Sequence, residues 1–79
     1  MNTMKLKIAT QDYVIYFYIP EGKGEAGEIR MEYSKEKADV ISLAEEDNSA
    51  GHYAAKASNA VKERVSKGIF PLEFTNAWH

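Results

Sequence analysis

The sequence predicts an α+β fold: an antiparallel three- or four-stranded sheet, one C-terminal helix packed on one face, and an apolar tail. Three observations predict it. Before Ser34, three stretches alternate apolar and polar or aromatic residues with the two-residue period of strands. From about Ala50 to Lys67 the period becomes helical, with small side chains gathered on one arc. The last eleven residues then carry five large apolar side chains, which a free tail would avoid.

The first strand is set by Met4, Leu6 and Ile8 alternating with Lys5 and Lys7. Thr10-Gln11-Asp12 is a polar turn, so strands one and two form a hairpin. Strand two, Tyr13 to Ile19, is apolar or aromatic on both faces. Tyr13, Ile15, Phe17 and Ile19 point one way, and Val14, Tyr16 and Tyr18 the other. Pro20 ends it by removing a ladder donor. One helix covers only one face of a small sheet, so the second face needs another cover. Ile29, Met31 and Tyr33 alternate with charged residues and make strand three. The stretch Ala38 to Leu43 reads as strand or helix; adjacent Val40 and Ile41 favour a fourth strand, because β-branching lowers helix propensity.

Asp47, Asn48 and Ser49 are N-cap residue types, and Gly68 suits the position just past a helix end. The apolar arc holds Ala50, Tyr53, Ala54, Ala57, Ala60, Val61 and Val65. Alanines let the helix sit close but bury little area, so the expected core volume comes from Leu6, Ile8, Ile15, Phe17, Ile29 and Met31.

Residues 1–79 read as one domain, near the lower size limit for a chain that folds alone. With 44% hydrophobic and 28% charged residues the composition is that of a globular chain rather than a disordered one. The chain has no cysteine, which excludes disulfide staples and thiolate metal sites. The longest apolar run is too short to span a bilayer, and a cytoplasmic protein of bacterial style is the expectation. Net charge is −2 but uneven. Residues 21–47 carry nine acidic side chains against four basic ones, whereas residues 50–70 carry four basic ones against Glu63.

Three patterns bear on chemistry. Gly22-Lys23-Gly24-Glu25-Ala26-Gly27 matches a glycine-rich phosphate loop, but the strand-like continuation offers no helix N-terminus and Glu25 would repel phosphate. Glu45-Glu46-Asp47-Asn48 lacks the alternating oxygen ligands and central glycine of a calcium loop. His52 and His79 have no metal-like or triad-like spacing to one another. No enzyme activity, cofactor, metal or small-molecule substrate is expected.

The strand-strand-strand-helix order is shared with HicB-type antitoxin domains, which Ala57-Ser58-Asn59-Ala60 followed by Gly68 and Pro71 resembles at the helix end. Their Asp-Leu-Pro-Gly turn is missing here, so no family is assigned. The reading that remains is a small non-enzymatic interaction or regulatory module. It would bind a protein partner, or itself as a homodimer, through an aromatic sheet face and the tail. Val14, Tyr16, Tyr18, Arg64, Phe70, Phe74 and Trp78 are the expected contact residues, since aromatic and arginine side chains dominate interface energetics. The alternative is a nucleic-acid-binding accessory domain using Lys56, Lys62 and Lys67 on the helix; no membrane contact is expected.

Overall fold

A computed structural model describes residues 1–47 and 51–78. Five antiparallel strands, β1 (Asn2–Ala9), β2 (Tyr13–Pro20), β3 (Gly27–Glu32), β4 (Asp39–Ser42) and β5 (Glu73–Asn76), form one sheet. The one helix among the described residues, α1 (His52–Ser66), lies on one face. The spatial order is β4-β3-β2-β1-β5. The fold is thus α+β as expected, with two corrections. The sheet has five strands rather than three or four, and the helix is followed by a strand. The tail forms that strand, pairing antiparallel with β1 from Asn2↔Asn76 to Lys5↔Glu73. It extends the sheet beyond β1 as the edge strand on that side. The ambiguous stretch is strand β4, as its β-branched pair implied.

The helix packs on the face of Val14, Tyr16 and Tyr18. This reverses the facing expected of strand two: Ile29 and Met31, with Leu6 at the margin, lie in the core as expected, whereas Ile8, Ile15 and Phe17 do not. Register decides it: Tyr16 stands opposite Ile29 and Val14 opposite Met31, so these residues share one face. Ile15 lies opposite Arg30 and Phe17 opposite Glu28, on the uncovered side. An irregularity between Leu6 and Ile8 shifts the register of β1. Ile8 therefore pairs with Ile15 and is 43% exposed. A bulge of this kind turns all later side chains to the other face.

Met4, Val14, Tyr16, Tyr18, Ile29 and Met31 meet Ala54, Ala57 and Val61 in the core. The alanine arc behaves as its spacing predicted, with Tyr53 and Val65 packed at its margins. Gly27 makes the close approach workable. A Cβ there would collide with the Tyr18 ring and the Ala44 backbone nitrogen. The helix ends where Gly68, at φ 72°, takes a left-handed conformation. Its N–H bonds Val65 O and that of Ile69 bonds Arg64 O, both at 2.9 Å. This pair of bonds is the Schellman stop.

The N-terminus of the helix is capped from a distance. Gly51 occupies the cap position without a side-chain hydrogen bond. The carboxylate of Asp47 instead accepts the N–H of Tyr53 at 3.3 Å and of Ala54 at 2.9 Å. Asn48 and Ser49, the other expected caps, and Ala50, the expected first residue, lie outside the described residues, as does His79.

Candidate interaction surface

The expected contact residues fall into four places. Val14, Tyr16 and Tyr18 are at most 1% exposed and form the core, so they offer no surface to a partner. Tyr16 meets Phe74 edge-to-face with centroids 5.5 Å apart. Its hydroxyl donates to Pro71 O at 2.6 Å. Burial pushes the Tyr16 hydroxyl pKa up, against the opposing pull of the Arg64 guanidinium. Arg64 stacks over Phe74 at 3.8 Å and donates to Ala60 O at 3.3 Å. Tyr16, Phe74 and Arg64 therefore make one satellite cluster between helix and β5. Arg64 there acts as an amphipathic cover with its charge near the negative helix end.

Trp78 docks elsewhere, against Tyr53 at 5.6 Å and His52 at 5.9 Å, beside Lys56. Phe70 packs edge-to-face on Tyr33 at 5.7 Å. These two rings, with Met31 and Val65, line a groove of about 530 Å³ near the helix C-terminus, rimmed by Lys35, Glu36 and Lys62.

The uncovered sheet face solves its exposure with its own charges. Tyr13, Ile15, Phe17 and Ile19 are half-buried there. Lys7 reaches across β2 to Glu28 at 2.7 Å and passes 5.4 Å above the Phe17 ring. Arg30 lies 4.3 Å over Tyr13 and pairs with Glu32 at 3.3 Å. Alkyl stems and ion pairs shield the apolar stripe from water. The face is thereby polar at its outer layer, unlike the apolar surface its sequence suggested.

Two exposed apolar sets remain, Ile69, Phe70 and Leu72 after the helix and a second one at and just after β4. Val40, Ile41 and Leu43 are 43%, 50% and 58% exposed. The register between β3 and β4 slips, with Ser42 opposite Glu28 and Val40 opposite Ile29. Ile41 is thus an extra residue beside Val40, and the two widen the apolar ledge. Among the described residues, β4 pairs with β3 on one side and has no strand on the other. Natural edge strands are usually blunted by lysine, proline or inward charge. β4 is short, starts at the charged Asp39 and carries a register slip, which blunt it in part, but residues 40–44 hold no lysine, proline or charge. The sequence signal was present in Val40-Ile41-Ser42-Leu43, but only the strand order shows that this stretch is an edge.

Among the described residues, no group of three His, Asp or Glu side chains is placed to hold a metal ion. The Gly22–Gly27 loop joins β2 to β3 and rests against residues 45–46, where Glu45 N–H bonds Glu25 O at 3.0 Å. No described helix is long and apolar enough to cross a membrane. A scan of family models finds no match to the chain, and neither curated proteins nor solved structures yield one.

Proposed function

We propose that this chain is a non-enzymatic protein-interaction module that takes an extended protein segment onto the open edge of β4. The observation that carries this reading is the exposed ledge of Val40, Ile41 and Leu43 on a strand with one free side. An added strand gains main-chain hydrogen bonds from the edge and burial from alternate side chains. The opposite edge is less suited, because Glu73 and Thr75 make β5 polar where it is exposed. The uncovered face is also less suited, since a partner there must first displace the Lys7–Glu28 pair from Phe17. This reading moves the interaction away from the Val14/Tyr16/Tyr18 face. The basic helix side favours nucleic acid less: Lys67 is paired with Glu63 at 3.4 Å and Lys56 stands over Trp78.

The test places a photo-reactive residue at Ile41, Phe17 or Glu73 of the full chain in its host cell. Protein adducts from Ile41, and not from the other two, are expected. Adducts from Phe17 or Glu73 alone, or from no position, overturn the proposal.

A further inference from the structure

We propose that the groove between α1 and β5 binds a small phosphorylated molecule, sugar-sized and anionic at both ends. This site is separate from the β4 edge and does not depend on it. The groove has a volume of about 370 Å³ and a mostly polar lining that includes Lys56, Asn59, Arg64 and Asn76. Arg64 carries the proposal. Its side chain is half-buried, yet no acid among the described residues pairs with it. Its guanidinium lies 3.8 Å from the centre of the Phe74 ring and donates one N–H to Ala60 O. A guanidinium has several further N–H donors, so the edge toward the groove keeps donors for a ligand. Stacking and the Ala60 bond fix the plane of this fork in advance, which lowers the entropy lost on binding. A phosphate accepts such a fork through two oxygens.

Lys56 supplies the second charge. Its ammonium stands 5.8 Å from the centre of the Trp78 ring and pairs with no acid among the described residues. From Lys56 to Arg64 the helix rises about 12 Å. From Phe74 to Trp78, the rings beneath these two cations, the chain spans at most about 14 Å. The two spacings agree and place the cations at opposite ends of the groove. One phosphate group is too small to meet both, whereas a molecule with two terminal anions meets each. Glu63 is the one acid of the lining, and Lys67 pairs with it at 3.4 Å. Between the cations lie Asn59 and Asn76, whose amides suit the hydroxyls of a sugar.

Calorimetric titration of the full chain at constant ionic strength tests this. The probes are fructose bisphosphate, phosphorylated at both ends of the sugar, and fructose monophosphate, phosphorylated at one. The bisphosphate should bind with a dissociation constant on the order of 0.1 mM, about tenfold tighter than the monophosphate. Drawing Lys56 off the indole should change Trp78 emission with the same constant. Lys56→Gln should abolish the advantage of the bisphosphate and leave the monophosphate within about twofold of its wild-type affinity. Arg64→Met keeps an apolar cover on Phe74 and should weaken both probes at least about tenfold, through the loss of charge-assisted hydrogen bonds. Lys56 lies outside the core, so Lys56→Gln reads the site even if Arg64→Met unfolds the chain. Equal affinity for the two probes overturns the proposal, as does an undiminished bisphosphate advantage in Lys56→Gln. So does the absence of saturation by either probe below about 10 mM, roughly a hundredfold above the expected constant. None of these results bears on the β4 edge, which the photo-crosslink at Ile41 reads separately.

Discussion

The Tyr18 hydroxyl donates to Asp47 Oδ2 at 2.8 Å, and the same carboxylate oxygen accepts the Ala54 N–H at 2.9 Å. One buried carboxylate thus joins the central strand to the first turn of the helix. Tyr18 in turn accepts the Ala44 N–H at 2.9 Å, which anchors the chain leaving β4. Three elements converge on one phenol. That convergence explains why the tyrosine face, not the isoleucine and phenylalanine face, lies under the helix. A buried tyrosine supplies both ring area and a polar end that reaches the margin of the core.

This junction predicts sensitivity to alkali. Burial, with help from the Asp47 carboxylate, pushes the Tyr18 hydroxyl up to about 12 from 10.0. The folded chain therefore holds that proton more tightly than the unfolded chain. Its contribution is complete below pH 10 and is lost as pH rises toward about 12. Denaturant melts across that window should show stability falling steeply. Tyr18→Phe should flatten this fall and cost about 2 kcal/mol at neutral pH, because a hydrogen bond to a charged group is lost. An unchanged alkaline slope in the variant would refute the assignment.

The elements were legible in the sequence where a single period stood alone. Alternation in residues 4–8 and 28–33 located β1 and β3, and the alanine arc with Gly68 located the helix and its stop. The facing was not legible, for a physical reason. β2 is apolar on both sides, so only its pairing partners decide which side is core. Gly27 held part of that answer, since it marks the place where Tyr18 needs room. The bulge after Leu6 left no signal in Met4-Lys5-Leu6-Lys7-Ile8, whose alternation looks unbroken. The position of β4 at the sheet edge was equally hidden, because being an edge is a property of strand order.

Ala57 is fully buried against the sheet, whereas Asn59 is exposed. Ala57→Leu should cost about 1–3 kcal/mol by overpacking. Asn59→Leu should stay within about 0.5 kcal/mol, as surface changes do. Equal shifts in melting temperature would mean that the helix is rotated from the orientation described.

Gly27 gives a sharper test of the helix-side packing. Its neighbours leave no space for a methyl group, since the Tyr18 ring and the Ala44 nitrogen fill the site. Gly27→Ala should destabilise the chain by about 1–3 kcal/mol. Ordinarily alanine in place of a strand glycine is favourable by roughly 0.5–1 kcal/mol. The sign of the measured change therefore separates close packing from simple backbone entropy.

The tail makes the last prediction, because its apolar residues split into two classes. Phe74 is half-buried between Tyr16 and Arg64, and Trp78 is half-buried against Tyr53. Leu72 is 78% exposed and Ile69 51% exposed. Phe74→Ala should cost about 3 kcal/mol, the low end for aromatic truncation, since the ring is only partly enclosed. Leu72→Ala should stay within about 0.5 kcal/mol. Emission from Trp78, the sole tryptophan, should lie to the blue of free tryptophan in water. Deleting residues 73–79 removes β5 and bares the β1 edge beside Met4, so that chain should unfold or aggregate. A truncated chain that melts cooperatively at the full-length temperature, with Leu72→Ala as costly as Phe74→Ala in the intact chain, would show that β5 adds nothing to the sheet.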